Sequence, residues 1–290
     1  MYLKIASGAA ERWRADNGLA PALYAKRVPE MIFLMTPLSA LLLGLIEGFT
    51  EFLPISSTGH LIIAEKLLSL HSSPFVTSFT IAIQIGAILA VFVLYGQKLL
   101  VSRILPLRIF AAFIPTAICG TILYGVVKNL FLGNSTITLA AMFLGGIVLL
   151  LFELFLLPQA HYPNSLDTIT YRQAIGIGLI QSFAMVPGVS RSAASIIGGL
   201  SLGLPRKTAV EFSFLLAIPT MVAATSLDLV KSGAAFSRND WLLLVVGAIT
   251  AFFTALAAIR WFLRFLQCHT FIPFALYRIL AAPVFWWFLL

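Results

Sequence analysis

The sequence predicts an all-α, polytopic membrane protein: six full transmembrane helices plus two re-entrant helical hairpins arranged as an inverted-topology repeat. Three observations lead there. Hydrophobic residues make up 60% of the 290 residues and charged residues only 10%, with a mean hydropathy of +1.00, against roughly 25% charged residues in a soluble domain. From Phe33 onward the apolar residues fall into runs approaching the ~20 residues that cross a bilayer. Two of these runs are interrupted by a proline beside a cluster of polar side chains. Broken backbone at membrane depth is tolerated only inside protein or along a water-filled cavity.

Residues 1–30 stand apart, with Lys4, Arg12, Arg14, Lys26 and Arg27 against Glu11, Asp16 and Glu30 and no sustained apolar run. They lack the continuous apolar core of a secretory signal and read as an exposed arm, a weak amphipathic helix, or translation begun upstream of a start at Met31 or Met35. Residues 31–290 are expected to form a single membrane domain with repeat halves at about 34–157 and 171–290. The first run, about 34–50, ends at an acidic motif, and the second, about 58–70, ends at H-S-S-P; each is too short to cross, so together they read as a hairpin. Full-length runs follow at about 75–96, 106–125 and 136–157. A second broken element occupies about 171–203, and full runs return at about 208–231, 241–264 and 271–290.

If the six spans alternate, the loops with Lys98, Arg103 and Arg108, with Arg172, with Arg206 and Lys207, and with Arg260 and Arg264 share one side. By the positive-inside rule that side is cytoplasmic. The opposite loops hold Lys128, and Lys231 with Arg238 and Asp240. The net charge of +8 is scattered through short loops, which suits orientation and anionic lipid rather than nucleic acid. Cys119 and Cys268 show no metal-ligand spacing and read as packing residues. Trp286 and Trp287 read as lipid-facing or interfacial.

The first polar stretch, E-G-F-T-E-F-L-P-I-S-S-T-G-H from Glu47 to His60, carries the densest chemistry. Glu47 and Glu51 are spaced i, i+4, so both carboxylates project from one helix face, where a divalent cation with its preference for oxygen ligands relieves their repulsion. Pro54 stops the helix. Ser56, Ser57 and Thr58 are placed to cap a new helix whose free N–H groups attract an anion, and Gly59 lets backbone approach a ligand. The second stretch, P-G-V-S-R-S-A-A-S from Pro187 to Ser195, echoes the first with a proline before a hydroxyl cluster and adds Arg191, whose planar fork suits phosphate. Inverted repeats bring such broken tips together near the midplane. The combination of carboxylates, hydroxyls, imidazole and guanidinium is sufficient for metal-assisted phosphoryl transfer. The other function class open at this point is a carrier or flippase for an anionic lipid, since broken helices in inverted repeats also build transporters.

The two motifs resemble the signatures of the undecaprenyl-pyrophosphate phosphatase family, the bacitracin-resistance membrane phosphatases. The resemblance runs from about Leu38 to the C-terminus and includes I-Q-I-G-A-I-L-A-V from Ile83 to Val91, E-F-S-F-L-L-A-I-P from Glu211 to Pro219, and F-I-P-F-A-L-Y-R from Phe271 to Arg278. It implies removal of the terminal phosphate of undecaprenyl pyrophosphate, which recycles the lipid carrier of cell-wall synthesis and confers bacitracin resistance. It also implies a divalent cation, magnesium or calcium, an inner-membrane location and a site open to the periplasm. The partners expected are that substrate and membrane lipid, with a homodimer left open. Carried over by position, Glu47, Glu51, Ser57, His60 and Arg191 are the catalytic candidates, with Ser57 the favoured nucleophile and Glu47 with Glu51 the metal ligands. Ser56, Thr58, Gly59, Gly188, Ser190, Ser192 and Gln84 are the candidate substrate contacts. Ala193 stands where the family usually has glycine, Ser195 where it has threonine, and Thr80 where an acidic residue is expected in many members.

Overall fold

The computed structural model describes residues 35–70, 73–126, 134–156, 165–232 and 236–289. The polar stretch 1–30 and the loop holding Lys128 lie outside the described residues. Within them the chain is helical: α1 (Pro37–Thr50), α2 (Ser57–Leu67), α3 (Pro74–Ala82), α4 (Gln84–Val101), α5 (Leu105–Val126), α6 (Ser135–Leu151), α7 (Tyr171–Gln181), α8 (Arg191–Ser201), α9 (Arg206–Ser232), α10 (Arg238–Phe265) and α11 (Ile272–Leu289). Six segments are long and apolar enough to span a bilayer: Pro74–Val101, Leu105–Leu123, Ser135–Phe155, Arg206–Val230, Arg238–Phe265 and Ile272–Leu289. The chain is a multi-pass membrane protein, and its outer face is correspondingly apolar, with Leu100, Phe155 and Trp287 among the large side chains left uncovered.

The local signals are where the residue types require them. Pro54 has no N–H to offer the Thr50 carbonyl one turn back, and α1 ends at Thr50. The first long span departs from expectation: it is not one continuous helix but breaks at Ile83, between α3 and α4. There the Gly86 N–H bonds back only three residues, to Ile83 O at 3.0 Å, a tightening of the kind seen in 3₁₀ turns. The third span ends in a π turn, Phe152–Leu156, that places Glu153 against Arg206 at the start of α9.

The two short helix pairs share their local geometry at a constant spacing in the chain. Thr36 caps α1 and Thr170 caps α7, each in a reciprocal capping box with the third residue, Ser39 and Gln173. Ser56 and Ser190 precede α2 and α8 with φ of 71° and 74°. At the far ends, Ser69 and Gly203 take φ of 52° and 82°, and the N–H groups of Leu70 and Leu204 close the helices onto Glu65 O and Gly199 O at 2.9 and 3.0 Å, a Schellman-type ending. In this register Pro54 corresponds to Gly188, not to Pro187 as the sequence echo implies.

Close packing brings the pairs together. α1 lies along α10, α7 along α5, and α6 along α11, with α8 against α7 and α9. The largest buried cluster centres on edge-to-face rings, with Phe52 5.3 Å from Phe214 and Phe262 5.2 Å from Phe274. Glycine permits the closest approaches: a Cβ on Gly178 of α7 would lie 1.9 Å from Ala112 O of α5, and one on Gly86 of α4 equally near Ala248 O of α10. Gly178→Ala is therefore expected to lower the thermal unfolding midpoint in detergent, by about 1–3 kcal/mol of overpacking. Gly96→Ala, with nothing within 4 Å of its added carbon among the described residues, does not lower the midpoint.

Candidate active site

The last turn of α1 carries Glu47, with no exposed surface, and the C-cap residue Glu51, whose N–H bonds to Glu47 O at 2.9 Å. The helix geometry thus puts both carboxylates on one face, one turn apart, as their spacing predicts. Glu51 is the hub. Ser57, the first residue of α2, donates its hydroxyl proton to Glu51 Oε2 at 2.6 Å. Arg191, the first residue of α8, donates from Nε and Nη2 to Glu51 Oε1 at 3.4 and 3.2 Å. Its Nη1 donates to Ser213 O of α9 at 2.9 Å, and the guanidinium lies 5.8 Å over the Phe52 ring. One carboxylate therefore joins a serine hydroxyl from the first break to a guanidinium from the second. A short, charge-assisted hydroxyl bond of this kind is the geometry of a nucleophile held by its base.

Glu51, Ser56, Ser57, Thr58 and Gln84 line a cavity of about 210 Å³, and Gly188, Ser190 and Arg191 complete it from the second break. Gly188 is irreplaceable on conformation alone: its φ is +97°, and a Cβ would lie 1.9 Å from Thr138 O. The capping expectation for Ser56 is corrected. Ser190 caps α8 through its hydroxyl, which accepts from the Ala193 N–H at 3.2 Å. Ser56 holds the same backbone geometry but makes no side-chain cap. Its buried Oγ has no partner among the described residues, so the start of α2, where Ser56, Ser57 and Thr58 line the cavity, is left without a side-chain cap.

Four expected site residues do not line this cavity. Glu47 sits behind Glu51, and neither of its oxygens meets a hydrogen-bond partner among the described residues. Gly59 abuts α6, where a Cβ would come 2.8 Å from Met142 Sδ. The Ser192 hydroxyl donates to Phe52 O at 2.9 Å and stitches the two breaks together. His60 turns away from the cavity. Its Nδ1–H donates to Ser56 O at 2.7 Å, which leaves Nε2 to accept from the Tyr277 hydroxyl at 2.6 Å; the carbonyl accepts only, so the network assigns this tautomer. The ring stacks on Tyr277 and lines an apolar cavity of about 670 Å³ with Phe49, Trp261 and Phe274.

The sequence pattern of the family described as bacitracin resistance protein BacA matches residues 40–284. The chain belongs to that family. Curated relatives named undecaprenyl-diphosphatase span almost the same length. The one from Aquifex aeolicus (strain VF5) is 48% identical over 251 residues, covering 87% of this chain and 98% of the relative. Those from Sulfurihydrogenibium sp. (strain YO3AOP1) and Persephonella marina are 48% and 47% identical, each covering 87% of this chain and 99% of the relative.

In this BacA-family chain the residue that sequence reasoning left without a role is Arg278. It is wholly buried on α11 and, among the described residues, donates only to backbone carbonyls: Met142 O at 3.0 Å, Pro54 O at 3.3 Å, Ala141 O at 3.4 Å, and Gly188 O and Val189 O at 3.0 Å each. A single guanidinium thus satisfies carbonyls from both breaks and from α6. The signal available in sequence was an arginine within an apolar span, a residue that at such depth always needs partners. Arg278→Gln, which withdraws the fork from carbonyls of three segments, is expected to destabilise the protein by about 3 kcal/mol or more. A lowered thermal midpoint in detergent checks this, and Arg278→Lys, keeping the charge without the fork, falls between Gln and wild type.

Proposed function

We infer that this chain is an undecaprenyl-diphosphatase, which hydrolyses undecaprenyl pyrophosphate to undecaprenyl phosphate and inorganic phosphate and so regenerates the lipid carrier of cell-wall synthesis. The observation that carries the mechanism is the Glu51 carboxylate with Ser57 on one oxygen and Arg191 on the other. Glu51 takes the Ser57 proton as Oγ attacks the terminal phosphorus. The bridging P–O bond breaks, and undecaprenyl phosphate departs with the electron pair. Arg191, already at the cavity wall, exchanges part of its hold on Glu51 for the phosphate oxygens, whose charge it neutralises together with the free N–H groups at the start of α2. Water then cleaves the phosphoserine and Glu51 returns the proton to Ser57. His60 acts through backbone: bonded to Ser56 O and fixed by Tyr277, it holds the left-handed Ser56 that aims Ser57.

The carboxylates fit a divalent cation. Both Glu47 oxygens are buried without a partner among the described residues, and magnesium or calcium accepts one or two carboxylates while drawing its remaining oxygens from water and phosphate. Glu47 and Glu51 would hold it, and it would supply further neutralisation of the diphosphate charge.

The helix pairs α1–α2 and α7–α8 are read as re-entrant hairpins. At 14 and 11 residues, α1 and α2 reach about 21 and 16 Å, short of the ~30 Å hydrocarbon core. Their matching caps and breaks support an inverted repeat within one membrane domain. Lys98, Arg108 and Lys207 gather with Asp167 and Glu211 at one end of the bundle, which supports a cytoplasmic assignment of that end, an inner-membrane location and a site facing the periplasm. Both breaks come from a single chain, so a homodimer, if formed, is not needed to complete the site.

Phosphate release from undecaprenyl pyrophosphate by purified protein in detergent tests this reading. Ser57→Ala is expected to lower kcat by about 10²–10⁴-fold while the thermal midpoint holds, and a chelator is expected to abolish release, with added magnesium or calcium restoring it. Folded wild-type protein that binds the lipid but releases no phosphate under either cation would instead support a carrier.

A further inference from the structure

Gln181, the last residue of α7, stands in the second hairpin where Glu47 stands in the first and is only 1% exposed. It lines the same cavity as Ser57 and Arg191, together with Thr116 of α5 and Thr220 of α9. Its Nε2 lies 3.2 Å from Thr116 Oγ1 and 3.3 Å from Thr220 Oγ1. Each threonine hydroxyl has one proton, and both protons are already committed: Thr116 donates to Gly178 O at 3.0 Å and Thr220 to Leu216 O at 2.8 Å. Toward Gln181 the threonines can only accept, so the amide must face them with its NH₂ group. That fixes Oε1 as a buried acceptor to which nothing donates among the described residues.

The chemistry of that atom narrows what it serves. A carbonyl oxygen repels the ionised oxygens of phosphate and cannot abstract a proton as a carboxylate does. It accepts a hydrogen bond from a neutral donor, and water is the donor that the hydrolysis requires in this cavity. Its volume of about 210 Å³ holds a phosphoryl group and a few waters, each needing roughly 10–15 Å³ on this measure.

We propose that Gln181 Oε1 holds and orients the water that hydrolyses the phosphoserine formed at Ser57, an assignment that rests on the nucleophile reading above. One water proton is engaged by Oε1 while the water oxygen forms the new bond to phosphorus. The bond from phosphorus to Ser57 Oγ breaks, and Oγ takes back the proton held by Glu51. The water's own protons leave on the released inorganic phosphate, so the step needs no further reactant. Thr116 and Thr220 are positioning residues for the amide.

Gln181→Met, which keeps length but removes the acceptor, and Gln181→Glu, which keeps an acceptor, separate this role from packing. Full-length protein in detergent is mixed with undecaprenyl pyrophosphate, quenched in acid and followed by intact mass and by release of both products. Gln181→Met is expected to release the first equivalent of undecaprenyl phosphate at the wild-type rate, to accumulate enzyme carrying one phosphoryl group on Ser57, and to turn over about 10²-fold more slowly with KM not raised. Gln181→Glu clears the phosphoryl group faster than Gln181→Met does. Wild-type turnover in Gln181→Met, or equal slowing of both products without phosphorylated enzyme, overturns the proposal. If Ser57→Ala is inactive in the same assay, only the water assignment falls; if Ser57→Ala retains turnover, the nucleophile reading falls with it.

Discussion

Two helix breaks inside an apolar bundle leave main-chain carbonyls that lipid cannot satisfy, and the Arg278 guanidinium answers them. It reaches Pro54 O in the first break and Gly188 O and Val189 O in the second while bonding to Met142 O and Ala141 O of α6. Buried carbonyls left unpaired are costly, and this one side chain answers those of both breaks in the arrangement that holds them side by side. The candidate site follows from that arrangement. With the two breaks held side by side, the first residue of α2 and the first residue of α8 meet on a single carboxylate, Glu51.

The two hairpins solve the same backbone problem and then diverge in side chains. Ser56 and Ser190 adopt nearly the same left-handed geometry, yet only Ser190 uses its hydroxyl to cap its helix. The uncapped helix carries the nucleophile candidate, where free N–H groups aid a developing anion. The capped helix carries Arg191, which brings full charge and needs no such help. The next equivalent pair divides in the same way, with a carboxylate at Glu47 and an amide at Gln181. A repeat of one backbone shape thus sets different side chains at equivalent places, carboxylate and hydroxyl in one half and guanidinium and amide in the other.

Much of this was legible because polar residues are conspicuous in an apolar chain. Glu47, Glu51 and Arg191 stand out as charges in apolar runs, Ser57 is singled out from its hydroxyl cluster only by the family resemblance, and helical spacing places the two carboxylates on one face. The six spans were readable for the same reason, since run length and bilayer thickness impose each other. What escaped has equally physical causes. Arg278 bonds to main-chain carbonyls, which every residue carries, so nothing in the sequence marks its partners. His60 lies three residues from Ser57 on α2, but the stacked Tyr277, distant in the chain, turns it toward an apolar cavity. The prolines at 54 and 187 looked equivalent, whereas the repeated feature is the positive φ of a serine two or three residues later. The break at Ile83 lies three residues before Gly86, which packs closely on Ala248 of α10, and no proline marks it.

The central claim is that the two breaks act as one site through Glu51 and Arg191, and a double-mutant cycle on phosphate release tests it most directly. Glu51→Gln, Arg191→Gln and the double variant are compared with wild type by kcat/KM in the same detergent. The account predicts strong non-additivity, with the double variant about as impaired as the worse single variant, because groups acting as a unit are lost together. Losses that simply multiply would mean that the carboxylate and the guanidinium act independently, and the shared site described above would be contradicted.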